Sequence, residues 1–286
     1  MTTGVYLEKW LAMRAPSLAP RTIESYRRII RRCEPIFEME IGELSTFDLE
    51  TALEPDISAG KMRTAEQIYV LLRTALADAV ELGLIKVSPV KSIIKPKKRK
   101  SQIRCWTPEE ARAYYAATIG DDRQLEQLLP LMAGLRRGEV CGLMWEDIDF
   151  KEGIMHVRRQ KIWTDGGQVL VTPPKSEAGI RDIPISEALR DALRARRQLS
   201  GYVTNLTAHG VAQAIKRAAK RAGVSWVGTH GLRHTFATNA IRMGGDMRSL
   251  QMVMGHADYS TTANVYTHPD VQMTRAIIAH ATAYVV

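Results

Sequence analysis

A mainly α-helical fold with one small antiparallel β-sheet is predicted by two kinds of spacing along the sequence. From residue 5 to about residue 143, apolar residues recur at the three- and four-residue spacing of amphipathic helices. After residue 147 the spacing shifts toward alternation, which is typical of short strands, and helical spacing then returns. A length of 286 residues is sufficient for a sizeable core and favours two domains over one.

Composition limits the classes of protein that the chain can belong to. The net charge of +9 favours a polyanionic partner, because lysine and arginine release counterions when they bind nucleic acid. No apolar run reaches the roughly 20 residues of a membrane span, and the N-terminus carries no secretory signal, so we expect a cytoplasmic protein. Cys33, Cys105 and Cys141 are odd in number and far apart, which disfavours a disulfide framework and a structural zinc site.

Four helices are predicted in residues 1–94, which would form a small bundle. The first covers residues 5–13, with its apolar side chains on one broad face around Trp10. The second begins at Pro20 and ends at Pro35. The third starts near Ser45, and the fourth ends at Gly83.

Basic residues crowd this bundle and the stretch that follows it. Charged helix faces are usually just solvated, so the bundle charges are explained equally well without a ligand. Residues 95–106 carry a run of bases without an acid, which would repel itself and stay extended as an interdomain linker. We expect the following side chains to contact DNA phosphates: Arg21, Arg27, Arg28, Lys61, Arg63, Lys97, Lys98, Arg99 and Lys100.

A capping box at residues 107–110 marks the start of a second domain, residues 107–286. Within it, a turn at residues 134–139 places Arg136 where a new helix begins, a position that favours anions, although an exposed arginine beside a turn is the plain alternative. Three strands are then predicted at 153–163, 168–174 and 179–186 in one antiparallel sheet. Lys175 would lie at the tip of its second hairpin, where a lysine commonly only protects a sheet edge.

The last third of the chain holds four residues whose combined spacing indicates a site. His230 and Arg233 lie three apart on a predicted helix, so their side chains share one face and can converge on an anion. His256 and Tyr266 follow on segments separated by glycine-ended helices, which can return them to the same pocket. Each residue alone would more often be a hydrogen-bonded core residue.

These segments read H-G-L-R-H, M-G-H and V-Y-T-H, and with G-L-R-R-G-E at 134–139 and P-K-S at 174–176 they resemble the tyrosine recombinase, or phage integrase, family. The resemblance implies an N-terminal helical core-binding domain and a C-terminal catalytic domain. It implies a site-specific DNA recombinase that works through a 3′-phosphotyrosyl intermediate and integrates or excises a mobile element without metal, cofactor or ATP. It assigns catalysis to Arg136, Lys175, His230, Arg233, His256 and Tyr266, with Glu139 in a supporting role.

The residue types suit this chemistry. A phosphodiester under attack gains charge on its nonbridging oxygens, and the forked guanidinium groups of Arg136 and Arg233 can hold them. Tyr266 would supply the nucleophile and His230 would take its proton. Lys175 would then protonate the leaving 5′ oxygen.

The resemblance also implies partners and a location. We expect double-stranded DNA attachment sites, a homo-tetramer in the synaptic complex formed from a chain that is monomeric when free, host or phage directionality factors, and a bacterial cytoplasm. The tail, residues 269–286, would dock on a neighbouring protomer when DNA is bound, or back on its own domain in a monomer. Many family members carry a further N-terminal DNA-binding domain, whereas the first helix here begins almost at Met1, so the chain is either a simple recombinase or a trimmed one.

Three alternatives stay open. A non-catalytic DNA-binding regulator would need only the basic helices. A metalloenzyme could use His230, His234 and His256, because the first two have the spacing of metal ligands on a helix. A type IB topoisomerase would use similar chemistry on one strand, and the absence of synapsis would distinguish it.

Overall fold

The computed structural model describes residues 1–96, 104–164, 166–167, 169–174 and 176–255. As the sequence predicts, the protein is mainly helical with small antiparallel sheets. The chain divides into two compact units, one containing the N-terminal helices and the other beginning beyond them. The exact domain boundaries stay a prediction. Within the described ranges, no helix combines the length and the apolar character that crossing a membrane requires.

Four helices build the first unit. Their bounds are α1 (Thr3–Arg14), α2 (Pro20–Ile30), α3 (Thr46–Ser58) and α4 (Met62–Glu81). The second helix is shorter than predicted, because residues 31–36 form a 3-10 turn in which Pro35 can donate no hydrogen bond. The predicted start of α3 is confirmed, since the Ser45 side chain caps the helix.

The core of the first unit is almost entirely aliphatic and aromatic, with Leu7 and Trp10 among its buried side chains. The prediction that residues 5–13 present a single apolar face is wrong in part, because Val5 is 48% exposed and Met13 is 59% exposed. Val5 comes two residues before buried Leu7 and Met13 two residues after buried Leu11, and a step of two residues turns a side chain by about 200° around the helix.

Seven helices lie among the described residues of the second unit. Their bounds are α5 (Pro108–Thr118), α6 (Gln124–Met132), α7 (Arg137–Gly142), α8 (Glu187–Arg194), α9 (Ala208–Arg221), α10 (Gly228–Arg242) and α11 (Met247–Met254). The capping box predicted before α5 is confirmed: the Glu110 amide donates to Thr107 Oγ1 at 3.2 Å, and the Thr107 amide donates to Glu110 Oε2 at 3.0 Å. The helices pack around an apolar core that includes Trp106, Tyr114 and Leu128.

The predicted single sheet is wrong, because the strands form two separate sheets. The strands are β1 (Ile148–Asp149), β2 (Ile154–Val157), β3 (Gln160–Trp163), β4 (Val169–Thr172) and β5 (Arg181–Pro184). One sheet has the order β1-β2-β5, and the other pairs β3 with β4.

The segment predicted as one strand, residues 153–163, divides at two consecutive arginines. Arg158 donates from Nη2 to Asp182 Oδ1 at 2.6 Å, and Arg159 forms an ion pair with Asp147. The residues before these arginines pair with β5, and the residues after them pair with β4. β2 pairs with β5, with Met155 opposite Ile183.

Candidate functional site

The first predicted site residues meet where α7 begins. Gly134 has a φ of +62°, and the resulting turn leaves Arg136 immediately before the helix. The Arg136 amide donates to Glu139 Oε2 at 2.9 Å, and its Nη1 donates to Glu139 Oε1 at 2.7 Å. The carboxylate therefore fixes both the backbone and the guanidinium of Arg136.

α10 carries the next two predicted residues. His230 and Arg233 lie one turn apart, as the spacing predicts. Arg233 is only 1% exposed, and its guanidinium donates to the carbonyls of Gly134 and Met254. The side chain thereby joins the turn before α7 to the end of α11.

Three arginines converge on the C-terminal end of α11. The carbonyl of Val253 accepts from Arg181 Nε at 2.6 Å, that of Met254 accepts from Arg233, and that of Gly255 accepts from Arg136 Nη2 at 2.8 Å. The last carbonyls of a helix have no partner within it and lie at the negative end of its dipole. Guanidinium groups supply both the missing hydrogen-bond donors and a positive charge.

Glu139 is the buried acid between two of these arginines. Besides its bonds from Arg136, it accepts from Arg181 Nη1 at 3.1 Å and from Arg181 Nη2 at 2.9 Å. Burial alone would raise the pKa of Glu139, but the hydrogen bonds and charge of Arg181 and the charge of Arg136 lower that pKa to about 2. Glu139 is therefore ionised at any physiological pH.

His230 contacts a second histidine on the same helix. Its Nε2 lies 2.9 Å from Nε2 of His234, with the two rings at 85°. Burial lowers the pKa of His230, and the charges of Arg233 and Arg136 lower it further. A lowered pKa favours the neutral imidazole, which is the form that can accept a proton.

The described structure thus gathers four of the seven predicted catalytic and supporting residues: Arg136, Glu139, His230 and Arg233. The other three, Lys175, His256 and Tyr266, lie outside the described residues. Their neighbours in sequence are informative, because Gly255 at the end of α11 directly precedes His256.

Two residues of this cluster, Arg181 and His234, were not predicted to act in it. Arg181 is 8% exposed and shares the buried face of β5 with Ile183. The sequence did carry a signal for Arg181: a charged residue stands at an inward position of a strand in which buried and exposed residues alternate.

The predicted DNA-contacting residues divide into described and undescribed groups. Those of the first unit are all exposed: Arg21, Arg27, Arg28, Lys61 and Arg63. Residues 97–100 lie outside the described part of the chain. Contact of either group with phosphates stays a prediction.

The histidine pair bears on the metalloenzyme alternative. Among the residues that the structure describes, His230 and His234 belong to no group of three or more histidine, cysteine or acidic side chains suited to a metal ion. His256, the third ligand considered, lies outside those residues.

Comparisons with known proteins agree on one family. The model of the phage integrase family matches residues 107–273, more than half of the chain. A tyrosine recombinase XerC-like protein of Caldanaerobacter subterraneus subsp. tengcongensis is 26% identical over 94% of this chain and 79% of its own length.

Solved structures share the fold over nearly the whole chain. The Tn1549 transposon integrase in complex with a circular intermediate DNA has a TM-score of 0.83 and 21% identity, covering 98% of this chain and 99% of that one. A λ integrase tetramer bound to a Holliday junction has a TM-score of 0.69 and 21% identity, covering 94% and 80%.

Proposed function

Because this chain belongs to the phage integrase family of tyrosine recombinases, enzymes that cleave and rejoin DNA strands in site-specific recombination, we propose that it integrates or excises a mobile element. The observation that carries the proposal is the convergence of Arg136 and Arg233 on the end of α11, with His230 one turn before Arg233 on α10. The fold shared with an integrase of a transposon, captured on a circular intermediate, supports the mobile element as the substrate.

The two arginines would bind the scissile phosphate. Guanidinium groups hold phosphate oxygens through paired N–H donors, and they act most strongly where water is excluded. The bonds of Arg136 to described acceptors use two of its five N–H donors, and its side chain is 36% exposed, so it can both stay anchored and reach a ligand. Arg233 is buried and would contact the phosphate from the interior of the site.

The remaining steps balance as a transfer between two oxygens. Tyr266 Oη would attack phosphorus while its proton passes to neutral His230, and His256 would donate a hydrogen bond to a phosphoryl oxygen. The bond from phosphorus to the 5′ oxygen would break, with Lys175 supplying the proton to that oxygen. The 3′-phosphotyrosyl product keeps the bond energy, so a 5′ hydroxyl from another strand can reverse the step.

The substitution Tyr266→Phe tests this mechanism most directly. The variant lacks the attacking oxygen, so we expect it to bind the duplex that the unaltered protein selects from a random-sequence library and to form no covalent complex. Denaturing gel electrophoresis after incubation with nicked duplex measures the adduct. A covalent complex from the variant contradicts the assignment of Tyr266.

Resolution of chromosome dimers is a second candidate function. The similarity in sequence to a XerC-like tyrosine recombinase favours it. Sequencing the genomic DNA trapped covalently by the protein in its source organism separates the two. Sites at the ends of a mobile element support integration, whereas one chromosomal site without such ends favours dimer resolution. Relaxation of supercoils without paired sites would instead indicate topoisomerase activity.

We further propose that four copies assemble on two DNA sites, as the tetramer of λ integrase does on a Holliday junction. The tail, residues 269–286, would dock on the neighbouring protomer and couple their active sites. Deleting the residues after Asp270 should leave binding to a single site within about threefold while reducing strand exchange about 100-fold. Electrophoretic mobility and recombination assays measure both. Recombination equal to that of the full chain would show that the tail does not act in trans.

A further inference from the structure

Arg181, like Arg136, joins Glu139 to the end of α11 through one side chain. It is the first residue of β5, and its side chain is 6% exposed. Four of its five N–H donors have described acceptors: Nε donates to Val253, Nη1 to Glu139 and to Gly179 at 2.9 Å, and Nη2 to Glu139.

The contacts around Gly255 show how tightly this junction is packed. Gly255 has a φ of +60°, and a Cβ atom there would lie 2.8 Å from the carbonyl oxygen of Ala178 and 3.1 Å from Cδ and Nη1 of Arg181. The turn Glu177–Gly179 therefore approaches the end of α11 at backbone distance. Only glycine fits this position without displacing the turn or the arginine.

From these contacts we propose that Arg181 is a positioning residue for the cleavage step, acting through Glu139 on Arg136. Because most of its donors are committed to internal acceptors, Arg181 is not a phosphate ligand itself. The guanidinium of Arg181 donates hydrogen bonds to both oxygens of Glu139. The same two oxygens accept hydrogen bonds from the guanidinium and the amide of Arg136. Removing the fork would free the carboxylate to rotate and would shift Arg136 with it.

The same side chain fixes the end of α11, so Arg136 would lose alignment with the helix end to which it also donates. A misplacement of about 1 Å can lower the rate of a chemical step about 100-fold. The inference rests on the proposed function, since it assigns Arg136 to the scissile phosphate.

The substitution Arg181→Lys tests the proposal because it keeps the charge and removes the fork. Arg221→Lys is the control: that arginine of α9 donates to Asp121 and to the carbonyl of Ala117 on α5, and none of its contacts among the described residues is with the site. Single-turnover cleavage of the selected duplex is measured at saturating protein, and the dissociation constant is measured in parallel. Rates are expressed per DNA-binding-competent molecule, so a partly unfolded preparation does not mimic a slow one.

We expect Arg181→Lys to cleave about 100-fold more slowly than Arg221→Lys, with dissociation constants within about threefold of each other. A duplex with a methylphosphonate at the scissile position lacks the charge that Arg136 would neutralise. On that duplex the gap between the two variants should shrink at least about tenfold, because the alignment of Arg136 matters less.

A second variant reaches the same junction from the other side if Arg181→Lys does not fold. Gly255→Ala leaves every charge in place and pushes the turn and Arg181 away from α11, so we expect the same slow cleavage and the same recovery on methylphosphonate.

The outcomes separate this inference from the proposed function. If the unaltered protein forms no covalent complex, the proposed function fails first. If it does, cleavage by Arg181→Lys within threefold of the control overturns the positioning role. An equal loss on both duplexes would show only general disruption and would overturn it as well.

Discussion

The interiors of the two units differ in what they bury. In the described part of the first unit, the buried polar side chains are those of Thr3, Asp56 and Ser88. The second unit buries an ionised cluster that includes Glu139, Arg181 and Arg233. Apolar burial stabilises a fold directly, whereas transferring charges out of water is unfavourable and is only partly offset by pairing. The difference teaches that the first interior consists mainly of contacts that stabilise the fold, whereas the second also holds a set of charged donors in fixed positions.

The largest expected effect comes from the most buried of these charges. Arg233→Lys keeps a positive charge but cannot bridge the carbonyls of Gly134 and Met254 with one planar group. We expect single-turnover DNA cleavage to fall about 1,000-fold while DNA affinity changes little. Cleavage within tenfold of the unaltered protein would mean that this buried charge serves the fold alone.

A truncation in the other interior provides the control for this comparison. Leu53 is 2% exposed in the first unit, and Leu53→Ala should lower the free energy of unfolding by about 3 kcal/mol. Urea denaturation measures that loss. Cleavage per folded molecule should stay unchanged, and a fall in that rate would remove the distinction between the two interiors.

Acid should weaken the ionised cluster of the second unit. The folded-state pKa of Glu139 is about 2, below its ordinary value of 4.5, so its contribution to stability is complete above pH 4.5 and is lost as the pH falls toward 2. That contribution is up to about 3 kcal/mol. We expect the free energy of unfolding to decline over this window and Glu139→Gln to flatten the decline. A profile that Glu139→Gln leaves unchanged would place the acid sensitivity elsewhere.

The smallest effect is expected on the surface of the first unit. Replacing Arg27 and Arg28 with glutamine should weaken binding to all DNA sequences and reduce the slope of log affinity against log salt by about 0.9 for each lost phosphate contact. Arg194→Gln, an exposed arginine of α8, is the control. Fluorescence anisotropy at several salt concentrations measures the slope. Equal slopes in all variants would show that these charges are only solvated and do not contact DNA phosphates.

Sequence predicted the parts of the fold and of the site that local spacing determines. The helix starts at Ser45 and Thr107 depend on side chains three residues away, and both predictions are confirmed. His230 and Arg233 are one turn apart on a helix, so their shared position also followed from spacing.

What sequence did not predict depends on partners far along the chain. Arg181 bonds residues 42 and 72 positions away, and no local pattern specifies such contacts. The division of the predicted strand at Arg158 and Arg159 likewise depends on which strands its two halves meet in the folded chain. Alternation alone cannot tell which neighbour a strand pairs with.

The brevity of α11 affects the order in which the molecule can assemble. A helix of eight residues is too short to persist alone in water. Its terminal carbonyls are held by Arg181 and Arg136, which lie 72 and 119 residues earlier in the chain. Closing such long loops comes late, after local contacts have formed. A nascent or half-folded chain therefore has no completed arginine cluster at the end of α11, so competence to break DNA arises only once folding is nearly finished.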